Sequence, residues 1–199
     1  AMENPGAITF SEAILMVDPK AASVAQRSGL AGVTAHELAH MWFGDLVTMK
    51  WWDDLWLNES FADWMGDKIA NQVHPEFHAD LAHVQSIQAT MTGDSRPSSQ
   101  AIRREISSTD NMLENVGLAY NKGKAVLGMF ERWLGEEKFR SGVLDYLCKH
   151  EWGNAEAADL WSSLSKVSGG DVSGAMATFI DQNGVPLVSV ESIEGGVVK

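Results

Sequence analysis

Two histidines four residues apart, His36 and His40, with Glu37 beside the first, lie in a strongly helical stretch of this 199-residue chain. That placement limits the possible folds more than any other feature. Leu30, Val33, Leu38 and Met41 recur near a 3.6-residue period from about Ala22 through Phe43, and Gly44 stands where a helix would stop. Four residues advance a helix by little more than one turn. Both imidazoles therefore project from one face and can share a zinc ion, while Glu37 stands beside them near a bound water.

A zinc site needs a third protein ligand. After eighteen intervening residues comes Asn58-Glu59-Ser60, at the start of a second predicted helix over Leu57 to Val73. Two antiparallel helices would bring Glu59 back to the histidines. Two His and one Glu leave a fourth position for water, as in catalytic sites; structural sites close with four protein ligands, usually rich in Cys. The plainer alternative for Glu59 is a helix-start carboxylate set against the macrodipole. Asp63, one turn further, is placed either to accept the second ring N–H of a ligand histidine or to face solvent. His74 and His78 repeat the four-residue spacing, but Pro75 suits a first helical position and leaves His74 outside that helix. These two, His83 and His150 read as surface or core histidines, and Cys148 as a filler in a Leu-rich helix.

With 45% hydrophobic and 21% charged residues the chain is expected to bury a core, which excludes disordered, collagenous and coiled-coil readings. A single cysteine excludes a disulfide-scaffolded secreted module; a cytoplasmic setting is favoured, and a disulfide-free exported protein stays open. No apolar run approaches the roughly 18 residues of a bilayer span. Fifteen Lys and Arg against 27 Asp and Glu give a net charge of −12, which repels phosphate backbones and argues against nucleic acid as a partner. Cationic substrates suit that charge, and so does simple solubility.

Along the chain, Ala1 to Gly6 reads as a turn. The phase change between Ile8, Phe10 and Ala13, Leu15, Val17 predicts two short strands or one bulged strand. Leu46 to Met49 is a candidate strand, a third helix is expected from Pro75, and Thr92 to Asn111 is a long polar connection that either lines a cleft or simply links. Four more helices are expected over Tyr120 to Leu134, Glu136 to Lys149, Ala155 to Val167 and Val172 to Asp181. Val185 to Val190 carries a strand signal. The fold class expected is mainly α with a small β element.

Four segments together resemble the catalytic domain of the aminopeptidase N-type zinc metallopeptidases, the gluzincins. They are Ala1-Met2-Glu3-Asn4, similar to a G-A-M-E-N exopeptidase motif without its glycine; His36 to Gly44 (H-E-L-A-H-M-W-F-G); Trp51 to Ala62 (W-W-D-D-L-W-L-N-E-S-F-A); and Tyr120-x-Lys122-Gly123. The resemblance runs from Ala1 to about Asp181. It implies a thermolysin-like catalytic domain over residues 1–184, with 185–199 a tail or the start of a following β domain. It also implies that the chain begins inside the first motif, and that flanking amino- and carboxyl-terminal domains of a parent protein are partners lying outside it.

The resemblance further implies one Zn2+ per chain on His36, His40 and Glu59, Glu37 as general base, and Tyr120 as the donor to the developing oxyanion. Glu3, with Ala1 and Met2, would bind the free α-ammonium of a peptide substrate, which makes an exopeptidase. Without it, Glu3 reads as an exposed turn residue and Tyr120 as a half-buried packing tyrosine. Two alternatives remain at this level: a thermolysin-like endopeptidase, and a fragment that binds zinc without turnover.

Overall fold

A computed structural model describes residues 1–108 and 116–190, together with the backbone of 193–194 and 197–198. The site-bearing half is built on α2 (Val24–Ala39) and α3 (Trp56–Val73). A one-turn α1 (Glu12–Leu15) precedes them, and α4 (Ala79–Asp94) follows a 3-10 turn over Pro75–Phe77. The carboxyl half holds α5 (Val116–Leu134), α6 (Glu136–His150), α7 (Ala157–Ser168) and α8 (Val172–Ile180). The β content is small: β1 (Val47–Met49) pairs in parallel with β2 (Gly153–Ala155), with Val47 opposite Gly153, and β3 (Ile193–Glu194) pairs antiparallel with β4 (Val197–Val198). The chain is thus mainly helical with a small β element, as expected. No helix among the described residues is long and apolar enough to cross a membrane.

Local chemistry fixes the ends of α2. Ser23 caps it through a reciprocal box: the Gln26 amide donates to Ser23 Oγ at 3.2 Å, and the Ser23 amide donates to Gln26 Oε1 at 2.9 Å. Such a cap stabilises a helix by about 1 kcal/mol. The helix ends at Ala39, before the Phe43 expected from periodicity, because Met41 to Gly44 form a tight turn closing on β1. Gly44 adopts φ +137°, where a Cβ would also lie 3.2 Å from Asn58 Nδ2 and from His40 Nδ1. A side chain there would disturb the turn that supports His40.

α3 is the central rod. It packs on α2 along one side and on α5 along the other, and β1 with β2 ties this pair to the α6–α7–α8 layer. Trp56, Phe61, Leu127, Phe139, Leu160, Leu164, Met176 and Ile180 are almost fully buried in one continuous cluster. Each such side chain contributes about 1.5–3 kcal/mol of burial energy.

Several expectations need correction. Ile8 to Val17 forms no strand: one bridge pairs Met2 with Thr9, and Ser11 then starts the one-turn α1, since among the described residues no strand pairs with the rest. Pro75 opens a 3-10 turn, and α4 starts only after His78, whose φ of 50° breaks the run. Residues 185–190 carry no strand. Cys148 is exposed, because the buried stripe of α6 runs through Phe139, Val143, Tyr146 and Leu147 and leaves position 148 outside it. The expected connection from Thr92 begins later, because Thr92 to Asp94 still belong to α4; residues 95–108 are pinned over the start of α3, where Trp51 Nε1 donates to the Ile106 carbonyl at 3.0 Å, and residues 109–111 lie outside the described residues.

Candidate metal centre

α2 presents His36 and His40 on one face, and α3 presents Glu59 opposite them. The two Nε2 atoms lie 3.0 Å apart, and Glu59 Oε2 is 3.4 Å from each. Among the described residues this is the one His/Cys/Asp/Glu group close enough to hold a metal ion together. His74, His78, His83 and His150 form no such group.

Hydrogen bonds on the far side of each ring set the direction of the lone pairs. His36 Nδ1–H donates to Asp63 Oδ1 at 2.8 Å, and His40 Nδ1–H donates to the Phe43 carbonyl at 2.9 Å. Because a carbonyl only accepts, His40 must carry its proton on Nδ1, which leaves Nε2 with a lone pair. The Asp63 carboxylate imposes the same tautomer on neutral His36. Asp63 therefore faces the histidine rather than solvent. The Phe43 carbonyl is a partner that periodicity did not reveal; the only hint was Gly44, whose turn points that carbonyl inward.

The three facing atoms suit a cation. A tetrahedral ion with bonds of about 2.0–2.1 Å places its ligand atoms about 3.3 Å apart. The observed separations of 3.0 and 3.4 Å bracket that edge. Glu59 Oε2 is buried and, among the described residues, has no hydrogen-bond partner, while the Tyr120 hydroxyl also hydrogen-bonds to the Glu59 carboxylate.

Charge coupling follows this geometry. Burial alone would lower the His36 pKa, but the hydrogen bonds and charges of Asp63 and Glu59 outweigh it and carry the value up to about 9. His40 moves upward as well, against burial, mainly through Glu59. Burial would raise Glu59, yet the two imidazoles bring it down to about 2.

Glu37 is almost fully buried beside this group, and its Oε2 has no hydrogen-bond partner among the described residues. Burial pushes its pKa up, His36 and His40 oppose the rise, and Glu3 adds to it. Tyr120 stacks against His36, with ring centroids 5.9 Å apart at 22°. Burial and the neighbouring Glu59 charge push the Tyr120 phenol well above its ordinary value, so it keeps its proton as a donor.

A cleft of about 480 Å3 opens here, walled by His36, Glu37, Asp63, Tyr120 and Ala1. Glu3 lies near enough for its charge to act on both Glu37 and Tyr120. Met2 is exposed, and neither Met2 nor Glu3 is part of the described cleft wall; nor is any residue of 92–108. At the cleft and beside it stand a metal-sized donor set, a buried carboxylate with a raised pKa and a phenol donor.

Sequence comparison places this geometry among known proteins. The family described as "Peptidase family M1 domain" matches residues 1–179. "Probable aminopeptidase 1" of Sulfurisphaera tokodaii is 42% identical over 204 residues, covering 100% of this chain and 25% of that protein. "Leucyl aminopeptidase" of Saccharolobus solfataricus is 44% identical over 199 residues, covering 98% and 25%. "Aminopeptidase N" of Lactococcus lactis subsp. lactis is 42% identical over 202 residues, covering 100% and 24%. The chain therefore spans about a quarter of the length of these relatives.

Proposed function

This chain belongs to peptidase family M1, and from that premise we propose that it carries the active centre of a zinc-dependent aminopeptidase. The observation that carries the reading is the convergence of His36 Nε2, His40 Nε2 and Glu59 Oε2 next to the unpartnered carboxylate oxygen of Glu37.

Zinc would be held by His36, His40 and Glu59. When bound it supplies a Lewis acid that polarises the scissile carbonyl and acidifies the attacking water. The rest is done by the chain. Glu37 takes the water proton at its buried carboxylate and delivers it to the departing amine; the upward pull of burial on its pKa suits a group that must hold that proton between the two transfers. Tyr120 donates its hydroxyl proton in a hydrogen bond to the carbonyl oxygen as charge develops there. Asp63 fixes the ring and tautomer of His36.

Glu3 would receive the α-ammonium of the substrate. A carboxylate at a fixed distance from the reacting centre places the first peptide bond there and no other, which distinguishes an exopeptidase from an endopeptidase. Substrates are then peptides with a free amino terminus.

The test is zinc analysis with hydrolysis of an aminoacyl anilide, with and without chelator, on the free-amine substrate and its N-acetylated form. Stoichiometric zinc and cleavage of the free amine alone are expected. Equal rates on both substrates would leave an endopeptidase, and zinc without turnover would leave a metal-binding fragment. Glu37→Gln should keep zinc and lose at least about a hundredfold in rate, the ordinary contribution of a general base.

A further inference from the structure

We propose that Lys124 is a positioning residue for the metal centre, holding the Asp63 carboxylate in the rotation in which it accepts the Nδ1–H of His36. The proposal rests on the reading of His36 as a metal ligand.

The helix registers place it there. α3 carries Glu59, Asp63 and Asp67 at four-residue intervals, which makes one acidic row along a single face. α5 packs against that face and carries Tyr120 and Lys124 at the same interval. Tyr120 meets the row at Glu59, and Lys124 meets it between Asp63 and Asp67. Lys124 Nζ lies 2.7 Å from Asp67 Oδ2 and 3.7 Å from Asp63 Oδ2.

The two oxygens of Asp63 are thus divided: Oδ1 accepts from His36 at 2.8 Å, and Oδ2 faces the lysine. A carboxylate held at one oxygen can swing about its Cβ–Cγ bond, whereas attraction at the second oxygen fixes its plane. Lys124 is only 8% exposed, so its charge acts with little screening by solvent. It also offsets the repulsion among three like charges spaced along one helix, which would otherwise drive Asp63 away from Glu59.

Removing the lysine would change what Asp63 meets. Lys124, Asp67 and His83 wall a cavity of about 190 Å3 whose lining does not include His36 or His40, and His83 Nδ1 stands 3.6 Å from Asp67 Oδ2 there. With the ammonium gone, water from that side reaches Asp63 Oδ2 and competes with His36 for the carboxylate. The rival explanation is that Lys124 only fastens α5 to α3 through Asp67.

The experiment is a zinc titration of the 199-residue chain against a chromophoric chelator, for the parent, Lys124→Met, Asp63→Asn and the double variant, with thermal melts of each. Lys124→Met should weaken zinc binding about tenfold, the lower end of the effect of partners behind a metal ligand. In the Asp63→Asn background the same change should add less than about twofold, because the group through which Lys124 acts is already disabled. A lowered melting temperature with unchanged zinc affinity, or an equal loss in both backgrounds, overturns the proposal. Should Lys124→Met prove insoluble, Lys124→Gln is read by the same criteria. A parent chain that binds no zinc removes the metal reading and this proposal together; a parent that binds zinc beside an unaffected Lys124→Met removes only the role of the lysine.

Discussion

His36 and His40 turn their Nε2 atoms to within 3.0 Å of each other while each Nδ1 is committed to an oxygen behind it. Two bare ring nitrogens and a carboxylate oxygen cannot share so small a space without a positive charge among them. A proton or a metal ion can supply it, so the two compete.

Metal uptake should therefore release protons. Without metal, Asp63 and Glu59 overcome the effect of burial and lift His36 to about 9, so it carries a proton at neutral pH. Zinc titrations near pH 7.5, run in buffers of different ionisation heat, should report about one proton released per metal bound. The apparent affinity should climb about tenfold per pH unit between about pH 7 and 9, then level off. A release close to zero would show that His36 is already neutral.

The same contacts set how the metal-free protein responds to pH. His36 titrates higher when folded, near 9 against 6.5. Its extra stability is complete below 6.5 and is lost as pH rises through about 9. Glu59 titrates lower when folded, near 2 against 4.5. Its share is complete above 4.5 and is lost as pH falls through about 2. Both shifts report one set of interactions and are counted once. Urea melts of chelator-treated protein should show greatest stability from this cluster between about pH 4.5 and 6.5, with a loss of up to about 3 kcal/mol by about pH 9.5. A flat profile over that interval would contradict the coupling.

The chain itself made some of this readable. The spacing of His36 and His40 requires a shared helix face, and the helix carrying Glu59 starts close to where its periodicity places it, at Trp56. Asp63 was ambiguous because a carboxylate one turn along a helix looks the same whether it faces a histidine or water. Lys124 was not legible: four residues from Tyr120, it reads as an ordinary solvated cation until α3 and α5 are placed side by side. Ile8 to Val17 misled because alternation specifies a strand only where a neighbouring strand is there to pair. Cys148 misled because of its neighbouring leucines only Leu147 joins the buried stripe, while Leu144 is exposed, so leucine content did not place position 148.

Gly123 should tolerate no side chain unless Ser60 is cut back. A Cβ at Gly123 would fall 1.8 Å from Ser60 Oγ and 2.8 Å from Ser60 Cβ, at the point where Ser60 of α3 donates to the Ala119 carbonyl of α5. Gly123→Ala should lower unfolding free energy by about 1–3 kcal/mol, the usual penalty for overpacking. Ser60→Gly removes both obstructing atoms, so the double variant should regain part of that loss despite the lost hydrogen bond. Strict additivity in denaturant melts of the four proteins would mean that the contact does not set the helix spacing.

Asp54 should matter to stability far more than a surface carboxylate. It is 1% exposed and accepts from three separate parts of the chain: Trp56 Nε1 at 3.1 Å, Arg103 Nε at 2.9 Å and the first amide of α7, Ala157, at 3.0 Å. It thereby joins the start of α3, the 95–108 connection and the carboxyl-terminal layer. Asp54→Ala strands two buried donors and parts the guanidinium from its partner, with an expected cost of about 3–4 kcal/mol. For a chain of this size that is a fall of about 10 °C in Tm. Asp54→Asn keeps one acceptor oxygen and should lose less. Because Asp54 lies outside the metal cleft, zinc stoichiometry should be unchanged in both variants. A Tm within about 2 °C of the parent for Asp54→Ala would mean that the three segments are held together without it.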